Sequence, residues 1–400
     1  MHCTRKITED LAWVGVNNRQ VSIFENLYPI PNGMAYNSYL LKDEKTVLFD
    51  TVDQGVHQRF MENVSYQLDG RSLDYLVVHH MEPDHAAGIM DVVRCYPEVK
   101  IVSTEKTKKF LEQFFEVDRD VHYHTVKEND RLSIGKHTLR FIMAAMVHWP
   151  EVMVTYDEAD KTLFSADAFG SFGALNGAIF FDEVDYEKEY LDEMRRYYVN
   201  IVGKYGAQVQ ALLKKIGSFE INMVCPLHGF VWRNNIEEMI SKYNLWSSYT
   251  PESSGVVIVY GSIYGNTESA AEILACKLHE RGVKTTLLDA STTHVSQMVS
   301  VAFQWSHLVL ASVSYNGGLF PPVKVFIDEL VERNFQNRTV AIMENGTWAS
   351  NSSGLIRNKL KGSKNINVLE SSVSIKSSLK KENLHQIEAM AEELAASLSL

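Results

Sequence analysis

Cysteine is scarce and scattered. Cys3, Cys95, Cys225 and Cys276 lie far apart, so they supply neither a CxxC redox pair nor a cysteine cage for a metal. They read as reduced thiols, which places the protein in the cytoplasm. Long apolar runs are missing too: no stretch is apolar enough to span a bilayer. The opening MHCTRKITEDLAWVGV has no basic start, long apolar core or small-residue cleavage site, so no secretory leader is expected. Positive charge is short as well. Against 50 Asp and Glu there are 39 Lys and Arg, and the formal charge of -11 argues against a sequence-independent grip on nucleic acid or an anionic membrane. Small molecules and proteins remain as partners. No internal repeat is visible.

What is present is an ordinary globular chain of 400 residues, 45% hydrophobic, long enough for two domains. The stretch WSSYTPESSG, from Trp246 to Gly255, loses apolar periodicity and gathers Ser, Thr, Pro and Gly, which sets a boundary between 1–250 and 251–400. Upstream, short strand-like runs follow one another: LAWVGV, VSIFE, SYLLKD, TVLFDT, LDYLVV, KIVST, TLRFIMAA, VMVTY and TLFSA. Helical patterns are interleaved at Glu105 to Phe115 and over one long stretch from Tyr186 to Ile216. Strands dominate, so a sandwich of sheets flanked by helices is expected. Downstream, strands and helices alternate strictly: GVVIVYG, KTTLLD, HLVLAS, TVAIM and INVLE are separated by patterns such as Glu268 to Arg281 and Pro322 to Arg333. A terminal helix from Glu382 is expected to bury Leu384, Ile387, Ala391, Leu394 and Leu398 on one face. This alternation implies a doubly wound parallel sheet.

The chemistry concentrates in VVHHMEPDHAAG, residues 77–88. His80, Glu82, Asp84 and His85 follow the strand LDYLVV, where the chain should turn before a helix through Ala86 to Cys95. Ligand-capable residues recur at later strand ends: His148 in MVHWP, Asp167 in SADAFG and His228 in CPLHG. Any one histidine is more often a hydrogen-bonded residue than a ligand. The cluster is harder to dismiss, because carboxylates brought into an interior need partners. Asp50 could orient a ligand histidine or simply cap its turn. His79 should face away from His80 by strand alternation. Tyr36 and Asn37 need no role beyond core and turn.

In order and spacing, HxExDH followed by His148, Asp167 and His228 resembles the metallo-β-lactamase-like domain of the flavodiiron proteins. That resemblance implies an αββα sandwich holding one iron by His80, Glu82 and His148 and a second by Asp84, His85 and His228, with Asp167 bridging. Glu82 and the bridge add negative charge that favours ferric iron, which separates the expected redox centre from a zinc site.

The second half carries three loops at strand ends. The first, Ser262, Ile263, Tyr264, Gly265, Asn266 and Thr267, joins a strand to a helix, where backbone N–H groups and the helix end bind phosphate. The second is Ser312, Val313, Ser314, Tyr315, Asn316, Gly317 and Gly318. The third includes Asn345, Gly346, Thr347 and Trp348. All three resemble flavodoxin loops, which implies FMN, its phosphate on Ser262 to Thr267 and its ring beside Tyr315, Asn316, Gly317 and Trp348. The two aromatics could equally be core residues. Ala349 and Ser350 depart from the glycines common after this tryptophan.

Together the resemblance implies an oxidoreductase that reduces O2 to water, NO to N2O, or both, with FMN relaying electrons. A flavin at the edge of its own sheet need not lie near the irons of the same chain, so a head-to-tail homodimer, or a dimer of dimers, is expected. The chain closes at Leu400 without the paired CxxC motifs of a fused rubredoxin, so a separate donor such as rubredoxin is expected. The rivals are a zinc-dependent hydrolase on the same scaffold and a non-enzymatic flavin electron carrier.

Overall fold

The computed structural model describes residues 1–118 and 120–398, which divide into two compact units. One contains Met1–Tyr198 and Ala207–Tyr243; the other contains Val199–Gly206 and the chain from Asn244 onward.

In the first unit, TVLF and YLV are short runs of apolar and β-branched residues, buried almost throughout, as strands covered on both faces should be. They lie inside a seven-stranded sheet ordered Arg5–Lys6, Leu11–Trp13, Tyr39–Lys42, Thr46–Phe49, Tyr75–Val77, Lys100–Ser103, His122–Thr125. The first strands pair antiparallel, and those from Thr46–Phe49 onward pair parallel. A five-stranded sheet runs Arg131–Ser133, Thr138–Met143, Met153–Asp157, Thr162–Phe164, Met223–Cys225. The two sheets meet face to face. Phe49 stacks on Phe164 with centroids 3.8 Å apart, and the Tyr39 hydroxyl crosses to donate to the Pro226 carbonyl at 2.6 Å. Each buried phenylalanine is worth roughly 1.5–3 kcal/mol of transfer free energy. The helix Glu105–Phe114 starts where the Thr104 hydroxyl accepts from the Thr107 amide at 3.0 Å.

The second unit is a parallel sheet ordered Thr285–Asp289, Ser253–Gly261, Trp305–Tyr315, Arg338–Asn345, Ile366–Ile375. Its first strand in sequence lies second in space, so the order reverses beside that strand, as in flavodoxin-like sheets. The core beneath it joins Val256, Ile258 and Val309 to Ala270 and Leu274 of the helix Asn266–Glu280, and to Ile387, Met390 and Leu394 of the helix Lys381–Leu398.

Several sequence expectations need correction. The long helix from Tyr186 to Ile216 is broken into Tyr186–Glu189, Leu191–Tyr197, a wide turn at Tyr198–Val202, a tight turn at Gly203–Tyr205 and Gly206–Ile216. At Gly206 a Cβ would lie 2.4 Å from the Ser247 carbonyl, so this close pass requires glycine. VSIFE forms only Ile23–Phe24, while the polar strands His122–Thr125 and Arg131–Ser133 had no apolar alternation to announce them. The helix after the HxExDH motif is split into Pro83–Ala86 and Ile89–Cys95, so Asp84 and His85 sit on a helical turn of their own. The terminal helix buries Asn383, Ile387, Met390, Ala391 and Leu394, and Leu384 stays 46% exposed. Among the described residues, no helix is long and apolar enough to cross a membrane.

Candidate metal centre and flavin cavity

Beyond the strand Tyr75–Val77 the backbone stays extended and anchored. The Val78 amide donates to Val102 O at 3.0 Å, and the His79 carbonyl accepts from the Met153 amide at 3.0 Å. Alternation then sends neighbouring rings apart. His79 turns to Asp50, which accepts from both its amide (2.8 Å) and its Nδ1, while its Nε2 lies 2.9 Å from the Thr155 hydroxyl. Asp50 therefore serves the neighbour of His80, from a backbone held at φ 54. His80 faces the other way, toward Asp167.

The remaining donors arrive on turns. Pro83 starts the short helical turn that carries Asp84 and His85, a position where its missing N–H has no cost. His148 follows Val147 through a cis peptide bond. Asp167 lies between Ala166 and Phe169, both at positive φ (51 and 70), in a turn closed by the Ser165 hydroxyl on the Ala168 carbonyl at 2.7 Å. His228 is set by Asn37, whose amide donates to the Pro226 and Gly229 carbonyls at 2.9 Å each and whose oxygen accepts from Trp13 Nε1. Asn37 thus does more than occupy a turn, and the Tyr36 ring stands edge-on to both His85 and His228.

All seven side chains singled out in sequence converge. His80, Glu82, His148 and Asp167 form one group of ligand-capable atoms, and Asp84, His85 and His228 form another. In the first, His148 Nε2 is 2.7 Å from Glu82 and 3.1 Å from Asp167 Oδ2, and His80 Nε2 is 3.2 Å from the same Asp167 oxygen. In the second, Asp84 Oδ2 is 3.4 Å from His85 Nε2 and 3.2 Å from His228 Nε2. The other oxygen of Asp167, Oδ1, is 3.9 Å from both His85 and His228.

The arrangement is unsatisfied by the protein itself. Both ring nitrogens of His80, both oxygens of Asp84 and Asp167 Oδ1 are buried without a hydrogen-bond partner among the described residues. Buried polar groups left this way are costly and need an explanation. His228 donates its Nδ1–H to the Ala35 carbonyl at 2.8 Å, which turns its Nε2 toward His85 Nε2 at 3.0 Å and Asp84 Oδ2 at 3.2 Å. Burial opposes ionisation of Asp167, yet His80 and His148 hold its carboxyl well below the usual range. Burial likewise disfavours a charged His148, but Asp167 and Glu82 raise it to about 10. Burial and the charge of Glu82 push Asp84 up to about 6. Protons here stand where cations would neutralise the carboxylates, so the donor set fits a pair of metal ions.

Two residues here carried no signal in sequence. Tyr197 is fully buried, 5.4 Å from His228 between ring centroids, with a hydroxyl that has no hydrogen-bond partner among the described residues. Glu151, also buried, accepts from the Met81 amide at 2.9 Å.

In the second unit a cavity of about 220 Å³ opens among the three loops. Ser262, Ile263, Tyr264, Asn266 and Thr267 line it from the first, Val313, Ser314, Asn316 and Gly317 from the second, and Asn345, Gly346, Thr347, Trp348 and Ala349 from the third. Gly265 stands behind the first loop at φ 86 and starts the helix, its amide donating to the Ser262 hydroxyl at 3.1 Å. Asn316 and Gly317 form a turn with φ 48 and 72, returning the chain to pair Tyr315 with Gly318. Ser312, Tyr315 and Gly318 do not line the cavity; Ser312 is buried in its strand, and Tyr315 packs edge-on against Phe320. A fourth loop adds Ser377, which sequence did not single out; its hydroxyl donates to Thr347 at 3.1 Å. Tyr264 and Trp348 are 91% and 93% exposed, two bare rings beside a cavity whose lining side chains carry no charge. Such a place suits a flat aromatic ligand whose phosphate sits on hydroxyls, amides and a helix start.

A two-layer metallo-β-lactamase-like unit with paired donor groups, joined to a flavodoxin-like unit, defines the class. Residues 34–229 match the ODP family beta lactamase, and residues 258–369 match flavodoxin. An anaerobic nitric oxide reductase flavorubredoxin of Vibrio vulnificus is 30% identical over 359 residues, 86% of this chain and 70% of that protein. An uncharacterized protein of Methanocaldococcus jannaschii is 32% identical over 80% of each chain. Among solved structures, the rubredoxin oxygen:oxidoreductase of Desulfovibrio gigas superposes with a TM-score of 0.92 at 28% identity, covering 99% of both chains. The flavodiiron protein of Giardia intestinalis, 23% identical, shares the fold with a TM-score of 0.92 over 100% of this chain and 97% of its own. The chain belongs to the flavodiiron protein family, and the Vibrio vulnificus and Desulfovibrio gigas relatives are named as oxidoreductases.

Proposed function

We propose that this chain reduces a diatomic gas, O2 to water or NO to N2O, at two irons held by His80, Glu82 and His148 on one side and Asp84, His85 and His228 on the other, with Asp167 shared. The observation that carries this is Asp167, whose two carboxylate oxygens face separate donor groups. Glu82 adds an oxygen donor to one group, which suits a metal that must be stable in its oxidised state. Iron there would supply redox chemistry and Lewis acidity, and FMN in the loop cavity would relay electrons.

The chain's own residues set the conditions. Asn37 and the Ala35 carbonyl fix the loop and ring of His228, and the buried rings of Tyr36, Phe24 and Phe172 pack water out of its surroundings. Tyr197 packs its ring 5.4 Å from that of His228 and keeps a buried hydroxyl with no hydrogen-bond partner among the described residues, a donor that would be available on that side of the site. In the other unit, Ser262 and Thr267 at the helix start would take the flavin phosphate, and Trp348 and Tyr264 would cover its ring.

The names of the relatives favour rubredoxin as the external donor and keep both gases as substrates. We place the protein in the cytoplasm, as a head-to-tail homodimer in which the flavin of one chain serves the irons of the other, with a dimer of dimers as its larger form. The test is anaerobic reduction by rubredoxin followed by addition of O2 or NO, with iron and flavin measured on the same sample. Stoichiometric gas consumption dependent on both cofactors is expected, and loss of neither activity on removing iron would refute the assignment.

A further inference from the structure

The backbone between His80 and Glu82 lies beyond its strand. The strand Tyr75–Val77 ends three residues before His80, and the Met81 amide receives no strand partner. Met81 is fully buried, so an amide left unpaired there would be costly. Its acceptor is the carboxylate of Glu151, at 2.9 Å. Glu151 is only 3% exposed and lies three residues after His148, on the loop that delivers that histidine. A single side chain therefore ties the segment carrying His80 and Glu82 to the segment carrying His148, the three unshared donors of one group. Among the described residues, no comparable bond reaches Asp84, His85 or His228 from Glu151. Its second oxygen, Oε2, is buried without a hydrogen-bond partner among the described residues.

Resting on the metal assignment above, we propose that Glu151 is a positioning residue for one metal of the pair: it locks the His80–Glu82 segment against the His148 loop, so that this donor set is preformed before the ion arrives. A preformed set binds more tightly because less ordering remains to be done on binding. Losing such an outer support costs on the order of 10–100-fold in metal affinity. The loss should fall on one ion only, since the second group is built from the turn Pro83–Ala86 and the Asn37-held loop of His228.

The experiment is titration of metal-free, FMN-loaded protein with Co2+, whose absorption bands report coordination and resolve two binding steps. The comparison is wild type against Glu151→Gln, Glu151→Met and Glu151→Asp. Glu151→Gln keeps an acceptor for the Met81 amide and should hold both affinities within about threefold. Glu151→Met keeps the volume but removes the acceptor, and should weaken one Co2+ step by about 10–100-fold with altered bands while the other step is unchanged. If the methionine variant does not fold, Glu151→Asp, whose carboxylate falls short of Met81, should show the same one-step loss. Wild-type affinities in both Glu151→Met and Glu151→Asp would overturn the proposal, and so would equal weakening of both steps. Failure of the wild type itself to bind two Co2+ ions would instead overturn the metal assignment on which it rests.

Discussion

At the scale of single residues, Glu82 belongs to one donor group while the two oxygens of Asp167 face both. Replacing Glu82 by Ala should remove one carboxylate from the His80–His148 group, lower bound iron toward about one per chain and reduce gas consumption at least about tenfold, with FMN retained. Metal analysis, flavin absorbance and an oxygen electrode check this together; wild-type iron in the variant would contradict it. A second residue, outside the seven donors, should show in the pH dependence of stability. His137 bonds Asp157 at 2.8 Å and faces Asp10 at 3.3 Å, and the bond with Asp157 holds its imidazolium up to about 9 against the cost of burial. The folded value lies above the unfolded one of about 6.5, so the stabilisation is complete below about pH 6.5 and vanishes as pH rises through about 9. Urea unfolding should therefore separate wild type from His137→Asn widely at pH 6 and hardly at pH 10. The seven donors were legible because they form a dense motif and recur at strand ends. Tyr197, Glu151 and Ser377 were not, because each is brought to its place by an approach between segments far apart in sequence, and no local pattern marks it.

At the scale of elements, the apolar strands of the second unit were readable because a strand covered on both faces is a continuous run. The terminal helix shows the limit of such reading. Leucine at 384 looks like a core residue, yet the spacing 383, 387, 390, 391, 394 fixes the buried face, and Asn383 occupies its first place by donating to Ser374 O at 2.9 Å. Leu384→Ala should change stability by less than about 0.5 kcal/mol, while Ile387→Ala should cost about 2–5 kcal/mol, both measurable by denaturant unfolding. The broken helix between Tyr186 and Ile216 was hidden for a related reason: helical periodicity persists across a wide turn, and only the close pass at Gly206 shows why the chain cannot continue straight. Arg338 binds elements together in another way. Its guanidinium, nearly fully buried, donates to the carbonyls of Trp305 (2.7 Å), Phe303 (2.6 Å), Tyr249 (2.6 Å) and Gln336 (3.0 Å). Arg338→Met would strand these carbonyls and should destabilise the flavin-binding unit by about 3 kcal/mol or more, seen as earlier release of FMN fluorescence in urea.

At the scale of the whole molecule, the change from short, mixed-sheet strands to strict alternation announced two units of different kind, and the order of the parallel strands then came from the structure. A head-to-tail homodimer makes a sharp expectation for mixed chains. Glu82→Ala should spoil the proposed metal site, and Gly265→Val should spoil the flavin site by forcing a β-branched residue onto φ 86. Each variant alone should be nearly inactive, and a refolded or co-expressed mixture should recover activity above either, through dimers that pair one intact flavin with one intact metal site. Light scattering should report twice 45.4 kDa or a multiple of it. The decisive measurement is made on wild-type protein reduced without oxygen by rubredoxin: iron, zinc and FMN are counted, and O2 and NO consumption are followed side by side. A gas-reducing diiron flavoprotein has about two irons and about one FMN per chain, and consumes gas without releasing peroxide only while both are present. Near-stoichiometric zinc, with hydrolysis of an ester or phosphodiester that survives removal of FMN, would contradict it.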